Sequence, residues 1–344
     1  MAGYSNVLTL DRVEGKIEGT RGTAESTMTR PIVYPQGKAS LTWEADEAIT
    51  PETLRSFHAT ASDNATVGVG IARLNIESIM SFEEIIWWWN LALKGSNLSG
   101  TTTGSTPAGY TNTFTPTAAS DDLASATFKV GDGAAAYLVD RGMVNTMTMR
   151  WNPARGGDAY WMMAVEIWCR LKSTTTFDAP SAITRHKIAA KGTKVYIDAL
   201  GGTLGTTQVT GAIRSGSVTI NNNLEEKQFS EDDTYMSADV ARGEQMITFD
   251  LVREHLADTE SAFLRAGTAR AIRIEKTGDA IGTSPTTNYL LQIDMPVARY
   301  TPRMAPNWQG QNRVQTMAGQ ALRNSSNTVP ITCKSVISAS SVTA

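Results

Sequence analysis

The side chains that most often perform catalysis or bind metals are few in this sequence and far apart. The three histidines are His58, His186 and His255, and none has the HxxxH spacing that would place two imidazoles on one helix face for zinc. The two cysteines, Cys169 and Cys333, can form neither a disulfide framework nor a zinc site by themselves. These residues therefore supply no motif for nucleophilic or metal-assisted catalysis.

Glycine and acidic patterns are equally uninformative about chemistry. The sequence contains neither a GxSxG nucleophile elbow nor a GxxxxGK[ST] phosphate loop. The nearest glycine pattern is Gly68-Val69-Gly70, where Arg73 replaces the third glycine, and we interpret it as strand glycines. The acidic runs at 225–226 and 231–233 lack calcium-loop spacing and indicate a solvated loop. We expect no enzyme, cofactor or metal, although residues distant in sequence could still assemble a catalytic group.

Three consecutive tryptophans lie in the one helix that the sequence predicts clearly, over residues 81–94. Ser81 and Glu84 form a capping box at its start, and Gly95 supplies a stop at its end. One stripe of the helix should pack on a sheet, while Trp87, Trp88 and Leu91 lie on the opposite side. Either another part of the chain covers these three residues, or they form a subunit interface, where tryptophan is enriched.

Period-2 alternation predicts that the remaining structure is mainly β. In the strand 160–171 one face is fully apolar, and the other is half apolar through Met162, Ala164 and Trp168, so we expect a cover there and include Trp168 among the interface candidates. Residues 152–158 have turn chemistry and predict a hairpin. The predicted strands are 38–45, 67–77, 143–151, 160–171, 193–199, 213–221, 245–252, 269–276 and 288–298, with one more near 329–333.

Length, composition and charge set the outer limits of function. A chain of 344 residues with 41% apolar residues can build a sizeable core, which excludes a disordered chain. A net charge of −3 argues against a dedicated nucleic-acid binder. Residues 1–10 lack a secretory signal, and the most apolar stretch, 85–93, is about half as long as a membrane span. We expect a soluble protein made in the cytoplasm, without a membrane partner.

The order of predicted elements repeats along the chain. The strand around Ser40–Trp43, a second strand and a helix near Phe82 correspond to the strand around Ser217–Ile220, a second strand and a helix near Thr259. In each part a closing strand pair follows the helix: 143–151 with 160–171, and 269–276 with 288–298. Because identity is low, this is a repeat of pattern, and it predicts two related domains.

We place the domain boundaries from this repeat and from composition. The first domain is expected at 1–180, with a Thr/Gly-rich surface loop inserted near 96–120, and the second at 181–302. The segment 303–344 is polar and predicts a C-terminal extension or arm that docks on the body or on a neighbour. Neither the inserted loop nor the C-terminal extension has an assigned role.

Three segments give the sequence its resemblance to a known family. The opening stretch 13–24 (VEGKIEGTRGTA), the strand–helix–glycine segment 67–95, and the hairpin 143–171 with the following Thr174–Phe177 together resemble the tail tube (major tail) proteins of long-tailed bacteriophages. The resemblance covers roughly residues 10–300, and the repeat fits a duplicated, two-domain version. It implies tandem β-sandwich or barrel domains, each with a flanking helix, that form a ring.

The resemblance also implies a function and partners. It suggests a structural subunit of the virion tail that stacks as rings into a hollow conduit for genome delivery. Two domains per chain suggest trimeric, pseudo-hexameric rings, with hexameric rings as the alternative. A tape measure protein and tail terminator or tip proteins would be partners, and viral DNA would pass through the lumen without specific binding, along acidic or neutral residues.

Two other functions stay open on the sequence alone. The first is another β-rich assembly protein, such as a capsid decoration, tail-tip or type VI-like tube subunit. The second is a carbohydrate-binding β-sandwich in which Trp87, Trp88 and Trp89 form a sugar-stacking platform; their helical placement disfavours it, because sugar platforms need several coplanar exposed rings.

Overall fold

Antiparallel strands account for most of the backbone in the computed structural model, as the alternating sequence pattern predicts. The structure describes residues 12–35, 37–49, 65–93, 98, 100–103, 109–116, 123–131, 136–153, 158–227, 239–255, 259–282, 287–301, 306–309, 312–326 and 329–339. Within these ranges the chain has nineteen strands and two helices, so the mainly β class is confirmed. Neither described helix is long and apolar enough to cross a membrane.

The first part of the chain contributes nine strands and one helix. They are β1 (Arg12–Ile17), β2 (Arg30–Ile32), β3 (Ala39–Ile49), β4 (Ala65–Ile79), α1 (Glu84–Leu93), β5 (Thr101–Thr103), β6 (Gly109–Phe114), β7 (Ala126–Gly131), β8 (Ala136–Trp151) and β9 (Met162–Thr175).

The second part contributes ten strands and one helix. They are β10 (Lys194–Ala199), β11 (Ile213–Asn221), β12 (Leu224–Lys227), β13 (Asp239–Arg242), β14 (Met246–Glu254), α2 (Thr259–Arg265), β15 (Arg270–Ala280), β16 (Asn288–Tyr300), β17 (Pro306–Gln309), β18 (Asn312–Ala321) and β19 (Thr332–Ile337). All strands predicted from the sequence are present, within about five residues of their expected ends except β8, which begins at Ala136, seven residues before its expected start.

Eight of these strands form one continuous antiparallel layer that crosses both parts of the chain. Their spatial order is β3-β4-β9-β8-β11-β14-β18-β17, and we call this layer the main sheet. Within the described residues the layer does not close into a barrel, because β3 and β17, at its two ends, each pair with one strand only. The halves meet in the middle, where β8 pairs with β11.

The two halves of the main sheet have the same strand order. In the first half the order is β3-β4-β9-β8, and in the second it is β11-β14-β18-β17. A helix follows the second strand in each half, α1 after β4 and α2 after β14. Outside the main sheet, β8 continues through β7 to β1, and β16 continues through β15 to β10.

Burial along the main sheet alternates, so that one face packs inward and the other carries polar groups. On β11 the inward residues Gly216, Val218 and Ile220 are buried, and the residues between them are half-buried. The inward faces of both halves belong to a single hydrophobic core. Helix α1 contacts β8 of this sheet on one side and β6 and β19 on the other, and every residue in it is buried.

The insertion near 96–120, and the segment 303–344 that was expected to dock on the body or on a neighbour, both contribute strands to the folded body. The insertion near 96–120 was expected to be a loop, but β5 and β6 lie within it, and β6 pairs with β19. The segment 303–344 contains β17, β18 and β19, all hydrogen-bonded into the sheet. The strand that pairs with β14 as β9 pairs with β4 is therefore β18, beyond residue 302, whereas the sequence pattern matched β9 with β16.

Candidate functional site

Of the two described histidines, His186 is held in structural contacts, whereas the buried Nδ1 of His255 has no hydrogen-bond partner in the described part of the chain. His186 lies between β9 and β10, and its Nδ1 lies 2.5 Å from Glu83 Oε1. Its ring stacks on Tyr289 at 4.2 Å, and the Tyr289 hydroxyl donates to Ser338 Oγ at 2.9 Å. Since Tyr289 is only 4% exposed, its phenol is closed to a substrate. This cluster ties the start of α1 to β16 and to the end of β19.

Both cysteines are buried and free. Burial raises the pKa of the Cys169 thiol far above its ordinary value, and the nearby Asp140 carboxylate raises it further. Burial likewise raises the pKa of Cys333 well above its usual range. Because the thiolate is the reactive form of cysteine, these two thiols are poor nucleophiles and poor metal ligands.

The remaining chemical motifs give no site among the described residues. Gly68-Val69-Gly70 lies inside β4, so the pattern is one of strand glycines. Across the described ranges, no three His, Cys, Asp or Glu side chains lie close enough to hold a metal ion. Glu225 and Glu226 are exposed on β12, while His58 and the acidic run 231–233 fall outside the described residues.

The tryptophans of α1 belong to the interior of the chain. Trp87 and Leu91 are 0% exposed and Trp88 is 2% exposed. The Trp87 ring packs edge-on against Trp88 at 4.8 Å and against Phe128 at 5.9 Å. Of the two interpretations given by the sequence, burial supports cover by the same chain. It also leaves no exposed rings on this helix for a sugar-stacking platform.

A buried charge cluster surrounds the start of the same helix. The Arg30 guanidinium lies 5.6 Å from the Trp87 ring centre, and Arg185 pairs with Glu84. Burial lowers the pKa of Arg30 to about 10, an effect that the Glu84 carboxylate opposes. The Ser81 hydroxyl accepts a hydrogen bond from the Glu84 N–H at 3.2 Å, as the capping box predicts. Gly95, the expected stop, lies outside the described residues.

Trp168 occupies a different environment from the helix tryptophans. It is half-buried on the polar face of β9, and it packs against a small cluster of Leu123, Met143, Leu224 and Val240. The Arg73 guanidinium lies 5.2 Å from its ring centre. The expected cover on this face is therefore partly supplied by the chain itself, since Leu224 and Val240 belong to β12 and β13. Ala164 on the same face stays exposed.

The pairing of β8 with β11 joins the two halves, and we call it the internal joint. It runs in unbroken register from Thr146↔Asn221 to Trp151↔Gly216. On the core face, Trp151 is 2% exposed and stacks on Trp161 at 4.5 Å. A Cβ on Gly216 would lie 2.4 Å from the Trp151 ring, so the absence of a side chain allows this close approach.

One asparagine fixes the internal joint to the end of α1. The Asn222 side-chain amide donates to the carbonyl oxygens of Ala92 and Val144, at 3.1 and 2.9 Å. Its Oδ1 accepts from the Gln245 side chain at 2.7 Å. Asn222 is fully buried, and it satisfies a carbonyl in the last turn of the helix that has no partner within the helix. Sequence analysis did not single out this residue.

The polar face around the internal joint is rich in hydroxyls. Thr148 and Thr219 face each other across the joint, with their hydroxyl oxygens 3.0 Å apart. Beside them Glu77 forms ion pairs with Lys38 and Arg150, each at 2.7 Å. A shallow cavity of about 370 Å³ lies on this face between Ser40 and Glu166. Neutral groups and paired charges therefore dominate this surface.

The outer ends of the main sheet form the chain's second notable surface. In the described part of the chain, β3 pairs only with β4, and β17 pairs only with β18. Trp43 on β3 is 46% exposed and Trp308 on β17 is 68% exposed. An unpaired edge with large apolar side chains favours pairing with another strand.

No protein-family model matches the chain, and no curated protein matches it.

Proposed function

We propose that the chain is a structural subunit of a bacteriophage tail tube, which assembles into stacked rings around a hollow conduit for the genome. The proposal begins from the sequence resemblance described above. The observation that carries it further is the recurrence of one four-strand order in both halves of the main sheet. Two such units, joined edge to edge at the internal joint, form a segment of a layer that further copies can extend.

A ring gives the open ends of this layer a function. Strands added around a ring leave no free edge when the last copy meets the first, and this removes the aggregation hazard of exposed strands. Three chains would supply six repeated units, a trimer with pseudo-sixfold symmetry; a hexamer of chains is the alternative. With eight strands from each of three chains, spaced about 4.8 Å apart and tilted about 40°, the barrel would be about 50 Å across between backbones.

The polar face of the main sheet suits the lining of such a conduit. Its hydroxyls, including those of Thr148 and Thr219, carry no charge. The neighbouring cations are paired, Lys38 with Glu77 and Arg150 with Glu77 and Asp158. Each Lys or Arg contact with phosphate adds counterion-release affinity, which would hold passing DNA. We therefore assign this face to the lumen. Tight binding of duplex DNA at 0.15 M salt, measured by fluorescence anisotropy with assembled protein, would contradict this assignment.

The proposal places the protein in the virion tail, after synthesis in the host cytoplasm. Its first partner would be another copy of the same chain. A tape measure protein inside the tube, and terminator or tip proteins at its ends, would be further partners. Stacking of rings is a head-to-tail contact that propagates without closing, so the tube length would need to be set by such partners.

Negative-stain electron microscopy of the purified protein tests the proposal. We expect hollow tubes with a regular stacking repeat, or isolated rings under conditions that weaken stacking. Closed shells, or lattices without a lumen, would favour another β-rich virion component. Tubes alone do not separate a phage tail from a type VI-like assembly; tubes of the same diameter and repeat within virions, labelled by antibodies against this chain, would identify the phage tail.

A further inference from the structure

Ile76 on β4 and Leu251 on β14 each lie eight residues before the first residue of the helix that follows, Glu84 and Thr259. With these two residues matched, the pairing register matches the residues of the two halves one to one. On β4, Ile76 pairs with Ala39 of β3 and with Val165 of β9. On β14, Leu251 pairs with Gly216 of β11 and with Met317 of β18. Ala39 on the outer edge of the first half therefore occupies the position that Gly216 has at the internal joint.

The same matching relates β9 to β18 and, beyond them, β8 to β17. If Val165 corresponds to Met317, then Met163 on β9 corresponds to Gln315 on β18. Met163 pairs with Met149, and Gln315 pairs with Pro306. Two residues further along each strand are Trp151 on β8 and Trp308 on β17. The exposed Trp308 thus stands where Trp151 stands at the internal joint.

The two tryptophans differ in what lies beside them. Trp151 is 2% exposed because β11 pairs with its strand and brings Gly216 opposite to it. Trp308, at the matching place on β17, is 68% exposed. The edge that would complete this environment is the Ala39 end of β3, at the other side of the main sheet, where no second strand pairs with β3 among the described residues. Each open edge therefore matches one side of the internal joint.

We propose that β17 of one copy pairs antiparallel with β3 of a second copy, in the register of the internal joint, with Trp308 opposite Ala39 and Asn307 opposite Ser40. This inference rests on the proposed ring and specifies its contact between copies. We call this contact the external joint. The occupant is a second copy of this chain, because the contact continues, in the same register, a pairing already present within the chain.

Apolar residues on β3 support the same occupant. Val218 and Ile220 on β11, which match Leu41 and Trp43, are fully buried at the internal joint. Leu41, which would lie opposite Pro306, is only half-buried, so the external joint would cover it. Ala39 has the Cβ that Gly216 lacks, and the Trp308 ring must therefore lie slightly farther from β3 than Trp151 lies from β11.

A disulfide tests the register directly. Asn307→Cys combined with Ser40→Cys places two thiols at a directly opposed pair, whose Cα separation in a sheet suits a disulfide. Within one chain these positions lie on the two outer strands of an eight-stranded sheet, so the bond can form only between copies. The native cysteines are buried and do not compete. The matched control is Asn307→Cys with Thr42→Cys, which is two residues out of register.

We expect oxidation of the first double variant to yield linked dimers and trimers on non-reducing gels, with at least tenfold more product than the control. If rings form but the control pair links equally well, or neither pair links, the external joint is refuted and the proposed function stands. If no ring or polymer forms in the unmodified protein at any concentration tested, both inferences fail.

A surface substitution gives an independent test. Trp308→Asp should abolish ring formation while leaving the melting temperature of the monomer within about 2 °C, because the side chain is mostly exposed. Leu200→Asp, at a residue that is 44% exposed and lies in a turn away from both edges, is the control and should assemble normally. Normal rings from the Trp308 variant would refute the external joint.

Discussion

The same substitution, tryptophan to alanine, can be made at a buried position, Trp87, and at an exposed position, Trp308. Trp87 is fully buried between Trp88, Phe128 and the Arg30 guanidinium, whereas Trp308 is 68% exposed. If the helix face is intramolecular, Trp87→Ala should destabilise the monomer, and Trp308→Ala should weaken assembly alone. The same pair therefore separates folding from association.

The magnitude follows from the packing around each ring. Removing a fully buried tryptophan side chain costs about 3–5 kcal/mol, and the upper part of that range applies where the site cannot collapse. Trp87 belongs to this class, because its edge-on aromatic contacts and the buried Arg30 would all lose their partner. Exposed substitutions usually stay within about 0.5 kcal/mol. We expect the two variants to differ by at least about 3 kcal/mol.

Urea unfolding, followed by far-UV circular dichroism at concentrations where the chain is monomeric, measures this difference. The assembly of each variant is then compared by light scattering at higher concentration. Near-equal stabilities would refute the reasoning. Loss of assembly by Trp87→Ala without loss of monomer stability would show instead that the helix face contacts another subunit.

Three further predictions follow from the joint and from one carboxylate. Gly216→Val should destabilise the monomer by about 1–3 kcal/mol in urea unfolding, because the new Cβ would clash with Trp151. Ala39→Val, at the matching position on β3, should leave the monomer stable and weaken assembly. The reverse pattern would refute the matching of the two edges. Asn222→Ala should lower the free energy of unfolding by about 2–4 kcal/mol, because two buried carbonyls lose a hydrogen-bond donor. The control, Asn75→Ala at an exposed position, should be nearly neutral in the same assay. Equal effects would contradict the bridging role of Asn222. Burial alone would raise the pKa of Asp198, but hydrogen bonds from Thr206 and from the N–H groups of residues 205 and 207 lower it to about 2. The ionised Asp198 therefore stabilises the fold by up to about 2 kcal/mol above about pH 4, and this contribution is lost as pH falls through 2. The free energy of unfolding of Asp198→Asn should fall less steeply between pH 5 and 2 than that of the unmodified protein. Parallel pH profiles would refute this.

Strand positions could be predicted from the sequence because alternation records which face of a strand is buried. The strand 213–221 has its expected bounds in the structure, and the alternation of Val218 and Ile220 with polar residues shows why. The capping box of α1 could also be predicted, because Ser81 and Glu84 interact within one turn. Local patterns of this kind need no knowledge of distant partners.

Features that depend on distant pairing could not be predicted in this way. The insertion 96–120 has the composition of a loop, and β6 is a strand because β19, more than two hundred residues away, pairs with it. The match between β9 and β18 depends on their pairing with β4 and β14, which alternation within each strand does not specify. The role of Asn222 depends on where the end of α1 lies. A single buried asparagine carries no signal for that in sequence.

Cryo-electron microscopy of the assembled protein, viewed along the tube axis, tests the central claim most directly. The account predicts a hollow ring of three chains with six equivalent four-stranded units, in which contacts between copies repeat the internal joint. A chain that remains monomeric at high concentration, or rings in which neighbouring copies do not pair β3 with β17, would contradict it.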